Sequence, residues 1–306
     1  MRLAVILIPA LLQAQFSTPT PPDCANYTVA PLPDGTYACE RYATFPWFAA
    51  GQGWSTQVSL FTAPVPGQQR GVQFQIGLGP GASVKAVEGG LAGNYGPFTF
   101  VQPPVLAGSS ARLDILSPAF VTTDLAYGPL WVQLDAPDVQ TLEAANLQLI
   151  FLFADSTGKY NTQLAVPPIF NDQATSAWIT SFSETPIDRK AASANSNDCS
   201  FAVANLSAQP QSVTVSLYDQ SGILIAQKTT PVLAAGIPGG VYGTDFGTFF
   251  GLTSSALTSL TGTIDGTVQF ASSAGLPIIP LVIRLAGNSI STLQVAPLRP
   301  FIPPVE

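Results

Sequence analysis

Apolar and polar residues alternate with a period of two through most of the chain, the signature of strands with one buried face. Val213, Val215 and Leu217 fall on one side, with Thr214 and Ser216 on the other. Residues 218–222 then carry turn chemistry, and 223–230 read as the returning strand. The same pattern predicts strands over 56–62, 71–78, 98–102, 130–134, 147–153, 267–271 and 281–285. Helical periodicity is weak and confined to a turn or two at 139–145 and 246–252. Turn residues recur about every ten positions, the rhythm of sandwiches and barrels.

The order of these segments repeats. Residues 158–168, running from Gly158 to Pro168 through Leu164 and Val166, are answered by 287–297, from Gly287 to Pro297 through Leu293 and Val295. Upstream, 149–153 answers to 278–283, 131–134 to 267–270, 71–74 to 212–215 and 58–62 to 201–205. The expectation is an all-β chain of two tandem, repeat-related antiparallel β-sandwich units, Ig-like or jelly-roll-like. The first unit spans 45–170 and the second 171–306, with 188–198 as an exposed loop and 178–182 as a strand the two could share. The strand ending in Val166 should match the one ending in Val295. Separate sandwiches and one packed body are both open to a chain of this length.

Composition narrows the function more than it defines it. Hydrophobic residues make up 46% of the 306 positions and charged residues only 9%, against about 25% in ordinary globular chains. With no histidine, Ser-His-Asp catalysis and His-ligated zinc are excluded. A net charge of −7 argues against nucleic acid, because neutralising phosphates needs clustered Lys and Arg. Residues 1–15 read as a signal peptide, with Arg2, an apolar run over 3–12 and Ala14 before the cut. No segment reads as membrane-spanning. Residues 16–44 form an N-terminal segment in which Cys24 and Cys39 flank Pro33, Asp34 and Gly35, so a hairpin would bring the sulfurs together. Cys199 is left over, a small buried residue at a strand start rather than a reactive thiol.

The run from Phe45 to Leu60, with Phe48, Ala49, Gly51, Gly53, Trp54, Ser55 and Thr56, resembles a segment of secreted bacterial proteins in which Phe-Ala-x-Gly-x-Gly-Trp-Thr-Thr opens a β domain. In that group the second half opens with Gly-hydrophobic-Ala-hydrophobic-Ala-Asn-Pro. Phe201, Ala202, Val203, Ala204 and Asn205 are similar, although Leu206 stands in the proline place and Cys199-Ser200 replace Thr-Gly. The closing 292–297 also fits. The resemblance implies a duplicated extracellular β-sandwich accompanying other secreted modules, and it carries no catalytic residue across.

Candidate chemistry is sparse, and no cofactor or metal is expected. Gly51 and Gly53 read as a turn entering a strand, since no strand-loop-helix frames them as a phosphate cradle. Asp135 and Asp138, with Glu143 near, form the one carboxylate group suited to glycosidase chemistry, which needs two carboxyls about 5–9.5 Å apart. The plainer reading is turn and cap residues. Asn195, Asn197, Asp198 and Asp245 have calcium-type oxygens without the ligand spacing of a calcium loop. Asn26 and Asn205 head glycosylation sequons, relevant only in a eukaryotic host. Trp47, Trp54 and Trp178 could stack on sugars, while the competing reading is that they plug the ends of the sandwich. The expected role is a non-catalytic secreted or cell-surface protein, structural, adhesive or ligand-presenting, with an extracellular protein or glycan as partner. A carbohydrate-binding module using those tryptophans is the alternative, and a glycan hydrolase the third reading.

Overall fold

A computed structural model describes residues 21–298 except 33, 52, 67–70, 79–83, 89–90, 96–98, 102–104, 107, 117–125, 155–159, 191–194, 237–238, 256–261 and 288. The leader predicted over 1–15 lies outside the described residues. The first half contains β1 (Thr28–Pro31), β2 (Tyr37–Ala50), β3 (Trp54–Thr62), β4 (Gln73–Leu78), β5 (Val84–Glu88) and β6 (Leu91–Tyr95). It continues with β7 (Thr99–Val101), β8 (Ser110–Leu116), β9 (Ala126–Ala136), α1 (Val139–Glu143), β10 (Ala145–Ala154), β11 (Tyr160–Val166) and β12 (Ile169–Phe170). The second half holds β13 (Ala177–Glu184), α2 (Ile187–Lys190), β14 (Asn197–Asn205), β15 (Val213–Asp219), β16 (Leu224–Thr229) and β17 (Val241–Asp245). It closes with α3 (Phe246–Phe250), β18 (Ile264–Ser272), β19 (Ile278–Ala286), β20 (Ser289–Leu293) and β21 (Ala296–Pro297). Among the described residues no helix is long and apolar enough to cross a membrane.

Pairing is antiparallel throughout and follows one plan twice. One sheet of the first half runs β2-β9-β4-β7, and its counterpart runs β13-β18-β15-β16. The facing sheets run β11-β10-β3-β8 and β20-β19-β14-β17. The first half adds β1 and β12 beside β2, and the hairpin β5-β6 beyond β8. Register agrees as well: Val132 lies between Ala43 and Ile76, and Val268 between Thr180 and Leu217. The sequence repeat is therefore a repeat of eight strands. Among the described residues no sheet mixes strands from before β12 with strands after β13.

Three details differ from the sequence reading. The strand 178–182 is not shared; it is β13, the counterpart of β2. The loop expected over 188–198 is shorter, because α2 occupies its start and β14 begins at Asn197. Val295 does not end a strand as Val166 does: β20 stops at Leu293, opposite Val282, and the chain leaves for β21 on the other sheet.

Alternation decides what is buried. In β9, Leu130, Val132 and Leu134 are buried in the first core with Phe45 and Phe48 of β2, Val58 and Leu60 of β3, and Leu149 of β10. The second core centres on Phe201, whose ring lies 5.2–6.1 Å from those of Phe249, Phe270, Phe246 and Tyr242. Leu281 of β19 is buried in the first core, with Ile283 and Ile290 packed against it, so the two halves share apolar contacts. The Thr292 hydroxyl also donates to the Ala165 carbonyl at 3.2 Å.

The hairpin β1-β2 carries the disulfide expected from its cysteines, Cys24–Cys39, with a Cα separation of 5.3 Å. It is continuous with the first sheet. The turn after β2 is closed by reciprocal backbone hydrogen bonds between Gly51 and Trp54, and Gly53 takes φ +86°, which a side chain would resist.

Candidate functional site

Because opposite residues on antiparallel strands share a face, the register of β2, β9 and β4 builds a second surface behind the first core. Glu40 faces Asp135, Tyr42 faces Gln133 and Thr44 faces Trp131 across β2 and β9. On the far side of β9, Gln73 faces Asp135 and Gly77 faces Trp131. This face points away from β3, β8 and β10.

Its side chains are in contact. The Gln133 amide donates to Glu40 Oε2 at 2.6 Å and to Asp135 Oδ1 at 3.0 Å, so one amide joins two carboxylates. Burial raises the proton affinity of Glu40, and the neighbouring Asp135 charge adds to it. Burial, reinforced by Glu40, also pushes the Tyr42 hydroxyl upward. The Tyr42 and Trp131 rings are tilted together at 6.1 Å. The indole lies across Gly77, where a Cβ would fall 1.8 Å from Cε2. Glycine is needed there for lack of room, not for its dihedral freedom. Tyr42, Trp131, Gln133 and Glu40 are half-buried, whereas Asp135 is only 3% exposed.

The three tryptophans singled out from the sequence each pack against neighbouring side chains or backbone. Trp178 is 3% exposed, and its indole N–H donates to the Ile278 carbonyl at 2.8 Å, so it offers no ring at the outer surface. Trp54 is tilted against Phe153 at 4.9 Å and packs on the first core. Trp47 is wedged between the halves against Gly243 of β17, where a Cβ would meet its ring at 2.7 Å. The ring on the outward face is Trp131. Its position in the alternating run 130–134, between Leu130 and Val132, was the available signal.

The three carboxylates have different hydrogen-bond partners. Asp138 caps α1, accepting from the Thr141 N–H at 2.8 Å, and Glu143 is exposed, accepting from the Tyr27 hydroxyl at 3.3 Å. Asp135 instead meets Glu40.

Asp198 and Asp245 do converge, but on a lysine. Lys190 Nζ at the end of α2 stands 2.8 Å from Asp198 Oδ1, 2.8 Å from Glu184 Oε1 and 3.8 Å from Asp245 Oδ1. The contact to Glu184 is ionic, outside hydrogen-bonding geometry. Asp245 also caps α3 through the Thr248 N–H at 2.7 Å. Asn197 Nδ2 donates to Ser183 Oγ at 2.8 Å rather than joining the group. Glu184 is fully buried and accepts from the Cys199 N–H at 2.7 Å. Burial holds its carboxyl up at about 7 in spite of Lys190. Cys199 is buried, its thiol pushed up to about 12 by burial, with Sγ 3.1 Å from the Ser183 carbonyl. A thiolate is the reactive form, so this sulfur is inert. Asn205 of the second sequon is fully buried, its amide donating to the Gln209 and Ala234 carbonyls and accepting from Gln211. It cannot be reached by a glycan-transferring enzyme as folded.

A cavity of about 460 Å³ lies between the halves, lined by Phe45, Pro46, Pro168, Trp178, Pro280 and Leu293 among others. No family model, curated protein or solved structure matches this chain.

Proposed function

We propose that the protein is a non-catalytic extracellular β-sandwich that presents a ligand-binding surface on the outer face of the sheet containing β2, β9 and β4. One observation carries this reading: Glu40, Tyr42, Gln133, Asp135 and Trp131 form a contiguous aromatic and hydrogen-bonding set on a sheet face turned away from the core. A purely structural sandwich has no need of two carboxylates gathered on one amide beside an aromatic pair, since burying such groups is costly unless they are matched. An extracellular location is supported by the apolar leader and by the disulfide, which persists in oxidising compartments. The likeness to duplicated modules of secreted bacterial proteins agrees with this role.

The non-catalytic reading is favoured by the hydrogen bonds that Asp138 accepts as the cap of α1 and Glu143 accepts from Tyr27. The presenting role is tested by retention of the labelled mature chain on the extracellular matrix of the producing culture. Gln133→Arg, which places a bulky charge at the centre of the face, should reduce retention at least tenfold. Retention unchanged in that variant would remove the face from the function.

A further inference from the structure

Building on the presenting role, we infer that the ligand of this face is a neutral, hydroxyl-rich polysaccharide, with a sugar ring lying on Trp131 and its hydroxyls donating to Glu40. Two features select this class. The indole is spread flat over Gly77, so its inner face rests on backbone and its orientation is set by β4 instead of by a rotamer choice. A preorganised ring of this kind offers apolar area without an ordering cost on binding. Beside it, the hydrogen-bonding groups are acceptor-rich: Glu40 and Asp135 contribute carboxylate oxygens, and the shared Gln133 amide links them. Carboxylates accept from hydroxyl donors and repel anions, so acidic polysaccharides are disfavoured.

A cationic peptide is the competing occupant, and two observations count against it. Asp135 is only 3% exposed and held by the Gln133 amide, so of the two carboxylates only Glu40 is offered to a cation. The chain as a whole is 9% charged, so its surface offers little else for a charged partner to pair with. Tyr42 of β2, tilted at 55° to Trp131 of β9, sets a second aromatic ring beside it on the neighbouring strand.

The test uses the full mature chain against four insoluble neutral polysaccharides (cellulose, β-1,3-glucan, mannan and xylan), against alginate, and against a lysine-rich peptide on beads. Bound fraction and tryptophan fluorescence are the readouts. The expected result is retention on at least one neutral polysaccharide, weakened at least tenfold by Trp131→Ala and at least threefold by Glu40→Gln, with melting temperatures confirming folded variants. Should Trp131→Ala fail to fold, Tyr42→Ala takes its place. Retention on alginate or the peptide instead, lost in the same variants, would overturn the ligand class and leave the face as the presenting surface. Retention on a neutral polysaccharide that survives both substitutions would overturn the face as well. Binding to none of the six probes would overturn the ligand class.

Discussion

Replacing Glu184 by Gln separates two opposing effects in the cluster around Lys190. The ionic contact at 2.8 Å favours the charged carboxylate, while complete burial disfavours it. The balance falls toward burial, with the carboxyl held at about 7 against an ordinary 4.5. Between those two pH values the folded chain retains a proton that the unfolded chain has released. Stability therefore falls as pH rises through that window, by about 1.4 kcal/mol per pH unit and about 3 kcal/mol in all. Below pH 4.5 both states are protonated and the loss is absent; above 7 it is complete. Glutamine has no proton to lose. Its side-chain carbonyl can still accept the Cys199 N–H, and Lys190 keeps Asp198 at 2.8 Å. Glu184→Gln should thus match the parent near pH 4.5 and exceed it by about 3 kcal/mol at pH 8, in line with buried ion pairs that cost more in desolvation than they return. Lys190 is itself held up relative to 10.5, so its titration lies above this range and does not enter the difference. Urea unfolding followed by tryptophan fluorescence at pH 4.5, 6 and 8 measures it. A variant less stable than the parent at pH 8 would show that the pairing with Lys190 outweighs burial, and the reasoning would fail.

Two further expectations concern the cores. Removing the Cys24–Cys39 bridge by a double Ser substitution frees a loop closed over a sequence separation of 15, and should cost about 3 kcal/mol in urea midpoint analysis under oxidising conditions. The parent treated with reductant should fall to the same value, and a loss below about 1 kcal/mol would refute the loop-closure account. Phe201→Ala empties the centre of a five-ring cluster and should cost about 3–5 kcal/mol by thermal or chemical unfolding, whereas Phe201→Leu should cost less than half of that.

How far the fold could be read in the chain follows from where its information is local. The alternation of Leu130, Val132 and Leu134 with Trp131, Gln133 and Asp135 shows one buried and one outward face. The repeated order of segments foretold the doubled eight-strand plan, and the turn residues between Cys24 and Cys39 foretold their bridge. By contrast, the calcium-type oxygens of Asp198 and Asp245 gave no hint of Lys190, which reaches them only because α2 turns back toward β14. Trp178 read as a candidate for stacking on a sugar until the Ile278 carbonyl, distant along the chain, was placed over its N–H.

Steric alternation of a pleated strand is settled within a few residues, so the sequence by itself determined which side chains of each strand lie together and that the pattern occurs twice. Strand pairing and register are set by burial between segments far apart in the chain, since a one-residue slip would turn an apolar face outward. Only the tertiary structure could therefore set Glu40 opposite Asp135 and spread Trp131 across Gly77, making a candidate binding face from residues that are unremarkable one at a time.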